Sequence, residues 1–204
     1  MTIYVAHRQN SLKNLKSLID DNIKGIEIDL RTNGNKIIIS HNPFLNGLEF
    51  VKNIKIFKKF FLIIDFKSTG FSEKVLKILT KEKINFLFLN LIGSEQNYLI
   101  KKSYSKNLFL RFSSIEKPNL NIRYFKKIKW VWFDFFNGKL ITIKEYNYIK
   151  KYKKNICLTS PDLIDDNKLK ILKYIKNINK NKIKIDMICT KQHNIKLWKE
   201  FYKF

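Results

Sequence analysis

The chain has 204 residues, enough to bury a sizeable core as one domain and near the lower limit for an α/β barrel. Hydrophobic residues make up 45% and aromatics 14%, which excludes a disordered chain, and 6 glycines with 3 prolines leave no flexible linker. The 41 Lys and Arg against 17 Asp and Glu give +24, a field that attracts polyanions. The basic residues are dispersed, however, as in "YIKKYKKN" and "IKNINKNKIK", and Ile, Asn, Lys and Phe crowd the whole sequence. We read the charge as a solvated surface shaped by coding bias, compatible with an anionic surface but with no specific nucleic-acid face.

Short apolar runs alternate with longer amphipathic stretches. In chain order the runs are "IYVAH" (3–7), "GIEIDL" (25–30), "FFLIIDF" (60–66), "FLFLNL" (86–91), "LFLRF" (108–112), "WVWFDFF" (130–136), "ICLTS" (156–160) and "DMICT" (186–190). Each is Ile- or Phe-rich and too short for an ordinary helix, so each is predicted to be a strand. A further strand, "KIIIS" (36–40), follows the second across the tight "TNGN" turn. Between the runs, Leu12, Leu15, Ile19 and Ile23 share one helical face, as do Val75, Leu76 and Leu79, and Ile143, Tyr146 and Ile149. Ser11, Ser72 and Ser94 stand before helical stretches, and Thr142 with Glu145 has capping-box spacing. Eight strand–helix units over residues 1–204 predict a single α/β domain, a (β/α)8 TIM barrel. The alternative, an open doubly wound sheet, lacks a Gly-rich loop after the first strand.

In such a barrel the site is built where strands end. His7 ends the first run, Glu27 and Asp29 the second, and His41 follows the extra strand. Asp65 and Lys67 end the third, Asn90 the fourth, Arg111 the fifth and Asp134 the sixth. Thr159 and Ser160 end the seventh, and Thr190 and Lys191 the eighth. Residues two apart on a strand point the same way, so Glu27 and Asp29 share a face, as do Asp65 and Lys67. Three converging carboxylates repel one another; Lys67 and Arg111 offset part of that, and a hard divalent cation, Mg2+ or Ca2+, offsets more. A lone polar group at a strand end is usually a hydrogen-bonded structural residue, and His193 reads that way. Asp134 reads equally as a loop anchor, and Trp130 and Trp132 as core.

The N-terminus lacks a basic region followed by an apolar stretch, and the longest apolar run, such as "FFLII", falls far short of the ~20 residues that span a bilayer. Cys157 and Cys189 sit alone in apolar runs, as expected of buried thiols. These features predict a cytoplasmic protein with no transmembrane segment.

"HR" near the start, "GIEIDLRTNGNKIIISHNP" and "IDFK" together resemble the glycerophosphodiester phosphodiesterase family, whose pattern is His-Arg, an Asn in the first helix, Glu-x-Asp, a second His and acidic-x-Lys. Asn14 matches the family's Asn. The stretches "RFSS" (111–114), "WFDFF" (132–136), "TSPDL" (159–163) and "ICTK" (188–191) resemble a branch of that family associated with bacterial surface-polysaccharide genes. The resemblance implies that Glu27, Asp29 and Asp65 hold a divalent metal. It implies that His7 and His41 flank the phosphodiester as acid and base, and that Arg8 and Lys67, joined by Arg111, bind its phosphate. The implied substrate is a small-molecule or glycan-linked phosphodiester.

The chain departs from the pattern in places. Gln9 replaces the usual Gly, Asp65 is shorter than the common Glu, Asn90 stands where the branch carries Asp, and Lys191 replaces an Asp. The stretch between 41 and 60 has little room for the insertion with which typical members recognise glycerol. Two other activities fit parts of the sequence: a phospholipase-like lyase on the same fold that forms a cyclic phosphate, and a non-catalytic barrel that binds polyanions.

Overall fold

Runs of β-branched and aromatic residues form the strands and the amphipathic stretches between them form helices. A computed structural model describes residues 2–44 and 46–204, the side chains of Asn14 and Asn137 aside. Its strands are β1 (Ile3–Ala6), β2 (Gly25–Asn33), β3 (Lys36–Ile39), β4 (Leu48–Glu49), β5 (Phe61–Phe66), β6 (Phe86–Leu89), β7 (Phe109–Phe112), β8 (Trp130–Phe133), β9 (Asn155–Thr159) and β10 (Met187–Thr190). The helices are α1 (Leu12–Asp20), α2 (Ile54–Phe57), α3 (Ser72–Lys81), α4 (Gly93–Lys101), α5 (Arg123–Lys126), α6 (Ile143–Lys151), α7 (Lys168–Lys180) and α8 (Ile195–Phe201). Each predicted run contains a strand. The short β4 is an addition the sequence does not announce. Among the described residues no helix is long and apolar enough to cross a membrane. The chain divides into two compact units, Arg8–Leu108 and Met1–His7 with Phe109–Phe204.

In the first of these, β2 pairs in parallel with β5, and β5 with β6. The β2–β5 register sets Asp29 directly against Asp65, which fixes where the charged groups of this unit meet. β3 turns back antiparallel to β2 through Gly34, whose φ of +55° suits the predicted Asn-Gly turn. β4 continues antiparallel to β3. Gly47 permits that approach, because a Cβ there would lie 2.5 Å from the Ile39 carbonyl oxygen. α3 buries Val75, Leu76 and Leu79 as the spacing predicts. α1 buries Leu15 and Leu18, while Leu12 is exposed and Ile19 only half-buried, so its apolar face is rotated from the predicted one.

The other unit is an all-parallel run in the order β1, β10, β9, β8, β7. Thr142 and Glu145 form the expected reciprocal capping box at α6. Ile149 of that helix is buried, but Ile143, its first residue, is exposed. In the Arg8–Leu108 unit two caps differ from expectation. Phe71 occupies the α3 cap position and the Ser72 hydroxyl instead donates to Glu95 at 2.6 Å, while Ile92 precedes α4. Cys157 and Cys189 are buried free thiols.

The "SPDL" stretch folds into a polar knot. The fully buried Asp162 carboxylate accepts from Thr190 Oγ1 at 2.9 Å, the Lys191 amide at 2.8 Å and Asn194 Nδ2 at 2.9 Å. The neighbouring Ser160 hydroxyl accepts from Trp198 Nε1 at 2.9 Å.

A second buried charge holds the one-turn helix α5. Lys154 is 1% exposed, and its ammonium donates to the carbonyls of Phe125 at 2.7 Å, Lys126 at 3.1 Å and Ile128. The Phe125 carbonyl also accepts from the Ile128 amide at 3.2 Å, so Lys154 adds a second donor there and serves the carbonyls at and just beyond the helix end. Burial and the nearby Lys129 charge pull the Lys154 pKa from the usual 10.5 down to about 8. Lys154→Met should cost about 2 kcal/mol at pH 7 in urea denaturation, because three carbonyls lose a donor. Between pH 8 and 10.5 the folded wild type sheds this proton before the unfolded chain does, so its stability should rise relative to the variant over that window.

Candidate active site

Strand periodicity brings Glu27, Asp29 and Arg31 onto one face of β2, while Ile26, Ile28 and Leu30 on the other are fully buried. β5 contributes Asp65, opposite Asp29, and Lys67 follows just past its end. Glu27 and Asp29 are each 1% exposed and Asp65 7%, and one oxygen from each lies within 4.8 Å of the other two.

Short loops hold this cluster in place. The Lys67 ammonium donates to Asp65 Oδ2 at 2.6 Å and lies 3.2 Å from Asp29 Oδ1. Asn90, in the left-handed region (φ +60°) just after β6, donates from Nδ2 to Asp65 Oδ1 at 2.7 Å. The loop before α1 supplies three more contacts. The Arg8 amide donates to Glu27 Oε2 at 2.6 Å, the Gln9 amide to the Glu27 carbonyl at 2.8 Å, and Asn10 Nδ2 to Asp29 Oδ2 at 2.7 Å. Asn10 also accepts from the Asp29 amide at 3.1 Å. Arg8 has φ +52°, a strained value for a side-chain-bearing residue, and Arg8 Nε lies 3.8 Å from Asp29 Oδ2.

Electrostatically the cluster is short of positive charge. Burial, followed by the Asp29 and Asp65 charges, raises the Glu27 pKa well above the ordinary carboxyl range. Burial also raises Asp65, against the pull of Lys67 and Asn90. Burial works against the Lys67 charge, but Asp65 and then Asp29 outweigh it and hold its pKa above the usual value. Three hard oxygen donors within mutual reach, with one ammonium between two of them, fit a hard divalent cation such as Mg2+ or Ca2+ and not a thiolate-seeking metal.

His41 approaches the cluster through its backbone. The Ser40 amide donates to the Asp29 carbonyl at 3.0 Å, and the His41 carbonyl accepts from Arg31 Nε at 3.0 Å and Nη2 at 2.9 Å. The His41 ring, half-exposed, has Nδ1 2.8 Å from Asn42 Oδ1.

Within the Arg8–Leu108 unit the structure therefore brings together Arg8, Glu27, Asp29, Asp65, Lys67 and the His41 segment. Two contributors escape the sequence reading. Extending the two-residue alternation past Asp29 would have found Arg31; nothing local marks Asn10. The Asn14 side chain lies outside the described residues.

The remaining sequence candidates belong to the other unit. His7 closes β1, and its amide donates to the Thr190 carbonyl at 2.9 Å. Arg111 donates to Asp134 Oδ2 at 2.7 Å and has Nε 3.1 Å from Glu116, while Trp132 Nε1 donates to Asp134 Oδ1 at 2.7 Å. Thr159 bridges the Phe133 carbonyl and Phe135 amide. His193 is exposed beside Asp166, whose pKa His193, Asn194 and Lys191 lower to about 2.

No protein-family model matches the sequence, and no curated protein matches it. Solved structures do match. A glycerophosphodiester phosphodiesterase from Agrobacterium tumefaciens is 10% identical, with TM-score 0.65 over 93% of this chain and 96% of its own. A glycerophosphoryl diester phosphodiesterase from Parabacteroides distasonis is 12% identical, with TM-score 0.66 over 100% and 88%. A protein of Galdieria sulphuraria described as such an enzyme is 14% identical, with TM-score 0.66 over 93% and 94%. The chain has the fold of these proteins, the (β/α)8 barrel expected from its strand–helix alternation.

Asn10 holds Asp29 by its carboxylate and by its backbone amide, so Asn10→Ala should weaken Mg2+ or Mn2+ binding about 10-fold in calorimetric titration, the order expected when a carboxylate that would hold a metal loses a supporting hydrogen bond. Unchanged affinity would remove Asn10 from the site.

Proposed function

Starting from a fold shared with glycerophosphodiester phosphodiesterases, we propose that this chain is a metal-dependent phosphodiester hydrolase. The observation that carries the reading is the buried Glu27–Asp29–Asp65 cluster, with Lys67 at its edge, on two adjacent strands of that fold. Glu27, Asp29 and Asp65 would hold a divalent cation, which would supply Lewis acidity toward the phosphate. Lys67 and Arg8 neutralise the phosphate and the charge that develops on it. His41 is one proton-transfer group. His7, which immediately precedes Arg8 in the chain, is the other on the strength of the His-Arg resemblance. One imidazole removes the proton of the attacking water and the other protonates the leaving alkoxide, so the products are a phosphomonoester and an alcohol. Arg111, which pairs with Asp134 and Glu116, is proposed as a further phosphate contact.

For the substrate we propose a small or glycan-linked phosphodiester, consistent with the branch-like motifs in the second half of the chain. The test is hydrolysis of bis-p-nitrophenyl phosphate with Mg2+ or Ca2+. EDTA and Glu27→Ala should each abolish turnover, and His41→Ala and His7→Ala should each lower kcat by about 10²–10⁴-fold. Turnover that survives Glu27→Ala sinks the metal reading. A cyclic phosphate in the ³¹P spectrum of a 2-hydroxyalkyl substrate would replace water by an internal hydroxyl as the nucleophile.

A further inference from the structure

We infer that Arg31 is a positioning residue, setting where His41 stands relative to the carboxylate cluster; the inference rests on the proposed phosphodiesterase reading. Arg31 is the next inward residue after Asp29 on β2. Its guanidinium makes three hydrogen bonds, all to backbone carbonyls. Nε and Nη2 converge on the His41 oxygen at 3.0 and 2.9 Å, and Nη1 donates to the Lys67 oxygen at 3.0 Å. One rigid fork thus joins the segment carrying the imidazole to the segment carrying the ammonium that bridges Asp65 and Asp29.

Two further features favour positioning over simple stability. Beyond Ser40, whose amide is tied to the Asp29 carbonyl, the segment enters a bend, and Phe44 a few residues on is fully exposed with φ +63°. Packing does little to hold this stretch; the guanidinium does so together with the Ser40 hydroxyl, which donates to the Asn42 carbonyl at 2.9 Å. Arg31 is in no ion pair within 4 Å among the described residues, so what its guanidinium holds is main chain. A lysine would offer its donors from one nitrogen, whereas Arg31 reaches the His41 and Lys67 oxygens from separate nitrogens of a planar fork.

The experiment is a double-mutant cycle with two readouts, turnover of bis-p-nitrophenyl phosphate with Mg2+ and hydrogen exchange of the Ser40 amide, which is bonded to the Asp29 carbonyl. Arg31→Gln should lower kcat about 100-fold, the order expected for a misplaced catalytic group, with KM and Mg2+ affinity within about 3-fold of wild type. Arg31→Lys should fall at least about 10-fold despite keeping the charge. In a His41→Ala background Arg31→Gln should add no more than about 3-fold, because the group it positions is gone. Exchange at Ser40, next to the freed His41 carbonyl, should speed up about 10-fold while amides of β5 and β6 stay protected. The same 100-fold loss in both backgrounds overturns the proposal, as does unchanged exchange. If the wild type shows no turnover at all, the phosphodiesterase reading fails by itself, and exchange still decides whether Arg31 fixes this segment.

Discussion

Placing three carboxylates nearly out of water on adjacent strands is the constraint from which the Arg8–Leu108 unit takes its organisation. Hydrophobic packing alone would reject such a cluster, since each ion forfeits hydration and repels the others. Nearly every polar contact around it serves to make the arrangement tolerable. Lys67 places its ammonium between Asp65 and Asp29, Asn90 and Asn10 each give a carboxylate an amide donor, and Arg8 turns its backbone into the left-handed region so that its N–H meets Glu27. The compensation is incomplete: burial still pushes the Glu27 and Asp65 pKa values upward. That residual demand for positive charge suits the site to a divalent cation and makes it a candidate for chemistry on an anion.

The same logic separates two kinds of polar residue at strand ends. Asp162 is as buried as Glu27, but an alcohol, a backbone amide and a side-chain amide satisfy it. It pins the β9 and β10 loops together and is a structural anchor. Asp134 is intermediate, held by an indole N–H and by Arg111. Residue type and strand-end position do not distinguish these cases. The balance of donors against charges does.

The imidazole segment follows a different rule. His41 is placed chiefly through main-chain contacts, with Ser40 fixed to β2 and the His41 carbonyl fixed to Arg31. Main-chain anchoring leaves the ring half-exposed, a state that suits the proton transfer proposed for it.

By itself the sequence determined the strand–helix alternation, the barrel class and the pairing of Glu27 with Asp29 and of Asp65 with Lys67 on shared faces. These follow from local periodicity, which every residue carries in its own neighbourhood. Tertiary structure alone decided the register that sets Asp29 against Asp65, the convergence of Asn10, Asn90 and Arg31, and the use of Lys154 to cap a one-turn helix. Those partners are brought together by strand pairing and loop closure across many intervening residues, and no local pattern encodes which distant donor will meet a buried charge.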